Sequence, residues 1–215
     1  WPAPEIVSIN DGFIVTYGYS DEVLLFTEAV VDDDAAGSVT ITADVTYLSC
    51  DDENCILGDG ELIRTLPVGA SSPAPPEVRS RFEAASSAVP LPEPEAPVSI
   101  TLTLSQDRIR AGDTFRFEIG AVVCEGPDED CPELEVLGEA PRDAFVPEAF
   151  DQLSLEVESV IAHPSAYRGI LLVGVGEATL DPPSAVAQRL GGVLRLDVGG
   201  EPTPVVFARS VERAS

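Results

Sequence analysis

Cys50 and Cys55 are the residues whose type and spacing most directly permit chemistry in this chain of 215 residues. Four residues, 51–54, separate the two cysteines, so a disulfide between them would close a small ring. Closing a small ring removes little entropy from the unfolded chain, which limits what the bond adds to stability. The small ring weakens a purely structural role and makes reversible thiol–disulfide exchange worth testing, although the residues alone still favour an inert hairpin staple.

The two cysteines lie at the ends of two predicted strands. Residues 39–47 alternate between apolar and polar side chains, and residues 61–66 form a second strand-like run. Alternation of this kind is typical of half-buried β-strands, and Asp59-Gly60 is a turn signal before the second run. The pattern predicts a β-hairpin in which Cys50 and Cys55 face each other across a short loop.

Acidic residues occupy that loop and affect the expected reactivity of the cysteines. Asp51, Asp52 and Glu53 place negative charge beside any thiolate that forms there, which disfavours it. Thiols of this kind are poor spontaneous nucleophiles and poor leaving groups. The loop thus suits a cysteine pair that is reduced by a docked partner better than it suits a freely reacting thiol oxidase.

Cys124 and Cys131 form a second close pair, for which a structural disulfide is predicted. The intervening loop contains Gly126-Pro127, which bends the chain, and acidic residues that favour contact with water. Two close pairs without Cys-X-X-Cys zinc spacing indicate disulfides and an oxidising compartment. Because His163 is the single histidine, neither a metal site nor a cofactor is predicted.

The composition excludes several classes of partner. The 38 acidic and 12 basic residues give a formal net charge of −26, which disfavours nucleic acids and anionic membrane surfaces. No apolar run is long enough to cross a bilayer, so direct membrane insertion is not expected. The acidic residues are interpreted as a solvated surface, because neither 32–34 nor 128–130 has the ligand spacing of a calcium loop.

The order of predicted elements indicates an all-β protein of two β-sandwich domains. Residues 1–68 form the first domain and residues 98–215 the second. Between them, residues 69–97 are rich in Pro and Ala and predict a linker with one short helix over 77–88. Further strands are predicted over 13–17 and 23–31, and a second helix over 183–190.

Short motifs spread over about residues 1–90 resemble the periplasmic N-terminal region of the DsbD and ScsB thiol:disulfide reductases. The motifs are Trp1-Pro2-Ala3-Pro4-Glu5, Gly12-Phe13, Thr16-Tyr17-Gly18-Tyr19, Glu22-Val23, Val45-Thr46-Tyr47-Leu48-Ser49-Cys50, Cys55-Ile56, Glu61-Leu62 and Leu66-Pro67. Three features depart from the family pattern. The length of the loop between the cysteines varies in the family, and the four-residue loop here is one more variant. Leu57-Gly58 replaces the usual proline after the second cysteine, and family members carry further sequence before the first motif, so the first sandwich is expected to lack strands.

The resemblance implies an immunoglobulin-like sandwich in which Cys50 and Cys55 are the redox pair. By this resemblance the pair takes electrons from a membrane-embedded reductase domain and passes them to periplasmic thioredoxin-like proteins, a role connected with cytochrome c biogenesis. Tyr17, Gly18 and Tyr19 resemble the aromatic cap loop that covers the cysteines in the family. The implied location is periplasmic or otherwise extracytoplasmic, and the implied activity is that of a thiol–disulfide oxidoreductase.

Two other functions stay open at this point. The chain fits a non-catalytic acidic β-sandwich of the envelope or a secreted binding protein, in which both disulfides are structural. Copper handling through the Cys50 and Cys55 thiolates is a third interpretation. The absence of Met and the single histidine in the sequence disfavour a dedicated copper site.

Overall fold

The computed structural model describes residues 1–9, 14–32, 34–51, 54–69, 73–106, 108–110, 112–124, 131–148, 153–162, 169–178 and 188–213. The chain divides into two compact units. Residues 6–85 form one, called here the hairpin unit, and residues 1–5 with 86–215 form the other, called the sandwich unit. The division falls inside the range 69–97 that was predicted to be a linker.

Strands dominate both units, and the all-β class predicted from the sequence is confirmed. The described part of the chain contains one α-helix, α1 (Pro76–Ser87), within a residue of its predicted bounds. The strands are β1 (Glu5–Ile9), β2 (Ile14–Gly18), β3 (Ser38–Cys50), β4 (Cys55–Pro67), β5 (Leu91–Pro92), β6 (Ser99–Leu104), β7 (Arg108–Ile109), β8 (Thr114–Val122), β9 (Leu134–Val136), β10 (Phe145–Pro147), β11 (Leu153–Ala162), β12 (Gly169–Ala178), β13 (Gln188–Val198) and β14 (Glu201–Arg213). Two 3₁₀ turns, Glu93–Glu95 and Pro141–Ala144, precede β6 and β10.

The sandwich unit consists of two sheets. One has the order β11-β12-β8-β6, and the other has the order β10-β13-β14-β5, with β9 on β13 and β7 beside β14. Strand β8 illustrates the sequence pattern that builds them, because Phe115, Phe117 and Ile119 are buried while the alternate positions are exposed. One face of each sheet therefore supplies the core, as a period of two requires.

Aromatic rings join the two sheets across this core. The ring of Phe117 in β8 lies 6.4 Å from that of Phe145 in β10, which lies 5.9 Å from that of Phe207 in β14. Gly174 and Gly176 in β12 leave room for the rings of Phe117 and Phe115 in β8, since a Cβ on Gly174 would lie 2.4 Å from the Phe117 ring and one on Gly176 2.3 Å from the Phe115 ring. The Gly-Val-Gly sequence is thus explained by packing within a strand.

Arg209 in β14 also connects the two sheets. Its guanidinium donates to both carboxylate oxygens of Glu93, at 2.6 and 2.5 Å, and to the carbonyl oxygen of Ile100 in β6 at 2.8 Å. The hydrogen bond from Arg209 holds the pKa of the Glu93 carboxyl below its ordinary value of 4.5. This ion pair tethers the segment before β6 to the opposite sheet.

The hairpin unit contains two-stranded sheets and differs from the sandwich unit in how little it buries. Strands β3 and β4 have 13 residues each and pair along their whole length, and β1 pairs with β2 in a separate sheet. Among its residues whose side chains are described, none is buried. The packing that is described includes the ring of Phe26, 6.0 Å from that of Phe82 in α1, and an ion pair between Arg81 and Glu22.

Three predictions of secondary structure are wrong. Asp59-Gly60 is not a turn before the second strand, because β4 already begins at Cys55 and both residues pair with β3. Residues 23–31 are not a strand, and the exposure of Val30 (96%) shows that an apolar run alone does not recruit a partner strand. The predicted helix over 183–190 is contradicted at its end, where Gln188–Leu190 begin β13 and pair with β14. Leu190 is fully buried there, so burial in the sheet overrides local helix propensity. Residues 183–187 lie outside the described residues.

We predict that Glu93→Gln lowers stability near neutral pH and makes the protein less sensitive to acid. Because the folded-state pKa of Glu93 is depressed, its contribution is present above the unfolded value and is lost as pH falls through the folded value. Hydrogen bonds to charged groups contribute about 1.5–3 kcal/mol, and partial exposure of the pair reduces this to about 1 kcal/mol. Urea unfolding at about pH 7 and about pH 3 measures the difference. Equal losses at both pH values would contradict the assignment.

Candidate functional site

The disulfide Cys50–Cys55 closes the end of the long hairpin. Cys50 is the last residue of β3 and Cys55 is the first residue of β4, and the two stand directly opposite each other in the register. Their Cα atoms are 4.0 Å apart, below the limit of about 7 Å beyond which a direct bond would need backbone movement. Both residues are exposed. Strand pairing thus presents the bond at the surface of the hairpin unit.

Asp51 and Asn54 hold the loop between the cysteines. The Asp51 backbone N–H donates to the Asn54 carbonyl oxygen at 2.9 Å, and the Asn54 N–H donates to Asp51 Oδ1 at 2.7 Å. A short Asp side chain commonly stabilises a turn in this way. The Asp51 carboxylate therefore shapes the loop and also brings negative charge next to the disulfide. Residues 52 and 53 lie outside the described residues.

The side chains that share a face of the sheet with the disulfide form what is called here the cysteine face. Directly opposite residues share a face, and successive members of a strand alternate. The pairs on this face, in order from the disulfide, are Leu48 and Leu57, Thr46 and Asp59, Asp44 and Glu61, Thr42 and Ile63, and Thr40 and Thr65. The hydroxyl oxygens of the last pair are 3.0 Å apart, as this assignment requires.

Leu48 and Leu57 are the nearest neighbours of the disulfide on this face, and sequence reasoning overlooked them. They are 61% and 73% exposed, which is unusual for two adjacent leucines in a strand pair. Neither residue is ionisable, so a search for reactive groups passes over both. Counting two positions back from Cys50 and two forward from Cys55 would have found them.

Tyr47 and Gly58 stabilise the hairpin on the opposite face. A Cβ on Gly58 would lie 2.4 Å from Tyr47 Cζ, so the ring covers the glycine backbone directly across the strand pair. Any larger residue at position 58 would displace the ring. This cross-strand contact accounts for Leu57-Gly58 at the position where the resemblance led us to expect a proline.

The second disulfide, Cys124–Cys131, lies in a different environment. It follows β8 and precedes β9 in the sandwich unit, and its Cα atoms are 6.2 Å apart. Cys131 is 5% exposed and Cys124 is partly buried. Thiol–disulfide exchange requires access of the attacking sulfur to the bond. The two disulfides therefore differ in how accessible they are to an attacking thiol, and Cys50–Cys55 is the more accessible.

The residues predicted to form a cap lie at the end of the other strand pair. Tyr17 and Gly18 belong to β2, and Tyr19 follows it directly. The two tyrosines are 43% and 37% exposed, and partial burial raises the pKa of each phenol. The cap segment is thus mostly strand, and its gating role stays a prediction.

Other kinds of site find little support in the described part of the chain. There, no group of three or more His, Cys, Asp or Glu side chains converges in a way that could hold a metal ion. No described helix is both long enough and apolar enough to cross a membrane. His163 lies outside the described residues.

The fold and the site together define an all-β protein with an accessible disulfide at the end of a hairpin. No family model and no curated protein matches the chain. Among solved structures, the chain is similar to the N-terminal periplasmic domain of ScsB from Proteus mirabilis. The match covers 100% of this chain and 72% of that one, with a TM-score of 0.52 and 16% sequence identity. At this identity the similarity shows a shared fold.

We predict that dithiothreitol reduces Cys50–Cys55 at least about ten times faster than Cys124–Cys131 in the folded protein, because the second bond is partly buried. Alkylation of freed thiols at successive times, followed by peptide mass mapping, gives the two rates. Unfolding in urea is the control and should bring the rates close together. Equal rates without urea would show that burial does not protect Cys131.

Proposed function

We propose that this chain is an extracytoplasmic thiol–disulfide exchange module that works through Cys50 and Cys55. In this proposal a membrane-embedded reductase reduces the pair, and the pair then reduces periplasmic thioredoxin-like proteins. The observation that carries the proposal is the exposure of this disulfide at the end of a strand pair, in contrast to the partly buried Cys124–Cys131. The shared fold with a periplasmic domain of ScsB supports the location.

The exchange chemistry needs no cofactor. A partner thiolate attacks one sulfur of the disulfide, a new sulfur–sulfur bond forms, and the electron pair of the broken bond leaves on the other cysteine, which takes up a proton. The partner's second thiol then attacks the mixed disulfide. The partner ends as a disulfide and Cys50 and Cys55 end as thiols, so two electrons have moved.

The acidic loop gives this site a particular reactivity. Negative charge from Asp51 disfavours the leaving thiolate, so exchange with small thiols in solution is slow for so exposed a bond. A protein partner that docks can offset this penalty by its own charges and by holding the sulfurs in line. The arrangement therefore favours transfer within a complex.

A second candidate function is supported by the hairpin itself. Both faces of β3 and β4 expose large apolar side chains, with Leu57 at 73% on the cysteine face and Ile56 at 69% on the opposite face. Apolar exposure of this extent is typical of interaction surfaces. A non-catalytic binding module that uses the hairpin for assembly, with two structural disulfides, would have the same feature. Such a module would keep its partner after Cys50 and Cys55 are replaced.

We predict that electron transfer in both directions requires Cys50 and Cys55 and does not require Cys124 or Cys131. The oxidised chain is mixed with a reduced thioredoxin that lacks its second cysteine, and the mixed disulfide is trapped by acid and mapped. The reduced chain is then tested for reduction of oxidised thioredoxin. Cys124→Ser/Cys131→Ser should keep both activities at some cost in stability, of order 2–4 kcal/mol.

The matched variant is Cys50→Ser/Cys55→Ser, which should lose both reactions and remain folded. Exchange that persists in this variant, or that disappears in the folded Cys124→Ser/Cys131→Ser protein, contradicts the proposed function. The binding-module function is favoured by a different outcome. In it, the native chain exchanges with thioredoxin in neither direction, and the Cys50→Ser/Cys55→Ser variant still binds envelope proteins.

We also propose that the Tyr17 ring restricts access of small thiols to the disulfide, with Gly18 as the point of movement because a glycine adopts backbone angles that other residues avoid. Tyr17→Ala should then speed reduction by dithiothreitol and change protein exchange less, since a docked partner displaces the ring itself. Trp1→Ala, which removes an exposed aromatic ring from the sandwich unit, is the control. An unchanged dithiothreitol rate in folded Tyr17→Ala protein would exclude the gating role.

A further inference from the structure

We propose that the cysteine face of the β3–β4 hairpin is the docking surface for the exchange partner, and that this partner presents its reactive thiol between apolar and basic side chains. The inference rests on the proposed function and adds the chemistry of the partner. It follows from the order in which groups occur along one face of the strand pair, beginning at the disulfide.

The face contains three zones in sequence. The disulfide comes first, the exposed pair Leu48 and Leu57 comes second, and the carboxylates of Asp59, Asp44 and Glu61 come third. Side chains on one face recur every second residue, about 7 Å apart along a strand. The leucines thus lie about 7 Å from the disulfide, and the carboxylates begin about 14 Å from it.

The leucine pair must be part of any complex in which exchange occurs. A partner sulfur has to approach to bonding distance of Cys50 or Cys55, so the surface around that sulfur is brought against the next side chains on the same face. Leu48 and Leu57 are 61% and 73% exposed and would be covered by this approach. Apolar groups around the partner thiol would remove both leucines from water and exclude water from the reacting sulfurs.

The carboxylates of the cysteine face favour a partner with positive charge. Asp44 stands directly opposite Glu61, a like-charged pair that costs stability when no cation is near. Arg64 is the one basic residue in the sequence between 38 and 67, and it is paired with Ile41 on the opposite face. Beyond the leucines, every charged side chain on the cysteine face is therefore acidic. A partner with basic side chains at this distance would gain attraction and relieve the repulsion.

Charge also excludes the other occupants of this surface. A second copy of the chain would bring a second net charge of −26 against the first, and its own cysteine face has no basic residue to offer. An anionic lipid surface or a nucleic acid would be repelled for the same reason. The partner that fits all three zones is a protein with a thiol for the disulfide, apolar side chains for the leucines and basic side chains for the carboxylates.

Three synthetic peptides of equal length test the charge. Each contains Leu-Cys, then a four-residue Gly/Ser spacer, then three Lys, three Ser or three Glu residues. The rate of mixed-disulfide formation at Cys50 and Cys55 is measured and expressed per thiolate. We expect the Lys peptide to react about ten times faster than the Glu peptide at low ionic strength, with the Ser peptide between them. The difference should shrink in about 1 M NaCl, where screening is strong.

Two pairs of variants locate the effect on the face. Asp59→Asn/Glu61→Gln should remove most of the difference between the peptides, while Glu77→Gln/Glu83→Gln, which removes the same charge from α1, should keep it. Leu48→Ser/Leu57→Ser should slow all three peptides several-fold and leave the dithiothreitol rate unchanged. Leu62→Ser/Leu66→Ser on the opposite face is its matched control. Circular dichroism checks that each variant is folded.

The outcomes separate this inference from the proposed function. Equal rates for the three peptides, or equal effects of the variants and their controls, overturn the docking surface while exchange through Cys50 and Cys55 stands. If Leu48→Ser/Leu57→Ser does not fold, the docking surface is still tested by comparing the three peptide rates in Asp59→Asn/Glu61→Gln and in its control. If thioredoxin and all three peptides leave the native disulfide intact, the proposed function fails, and this inference fails with it.

Discussion

The candidate site depends on the register of one antiparallel strand pair. The pairing that begins at Ser38 and Pro67 continues to Cys50 and Cys55 without a bulge. Since side chains alternate with a period of two, a slip of one residue would take the cysteines out of opposition. The hydrogen bonds of Asp51 with Asn54 oppose such a slip at the loop. The disulfide is thus positioned by backbone pairing and local contacts, and no buried side chain is found among the described residues of the hairpin unit.

The hydrophobic core lies in one unit and the exposed apolar surface in the other, and the net charge of the chain affects how that surface behaves. The sandwich unit buries an aromatic core, whereas the hairpin unit has no buried residue among those whose side chains are described. A two-stranded hairpin with apolar faces is marginal by itself and invites pairing with other strands. A net charge of −26 opposes association of copies of the chain through mutual repulsion. The acidic composition therefore protects an exposed surface that a neutral chain would lose to aggregation.

Local features of the sequence predicted the parts of the structure that depend on neighbouring residues. The hairpin, the disulfides Cys50–Cys55 and Cys124–Cys131, and helix α1 follow from alternation, spacing and turn residues over short distances. Burial could not be predicted in this way, because it depends on which sheet covers a strand. Whether 23–31 pairs as a strand, and whether Gln188–Leu190 join β13, is decided by residues distant in the sequence. Leu48 and Leu57 became recognisable only when the register placed them beside the disulfide.

Exposure and charge act in opposite directions on the reactivity of this disulfide. Exposure makes the bond accessible to attacking thiols, so a module with the proposed function needs some means other than burial to select its partner. Carboxylates on the same loop and face disfavour the leaving thiolate and repel anionic small thiols such as glutathione. A basic protein surface meets neither obstacle, because its charges are attracted and also stabilise the thiolate that leaves. Discrimination among thiols would then be kinetic, set by the charge around an open bond, and would not require that the bond be buried.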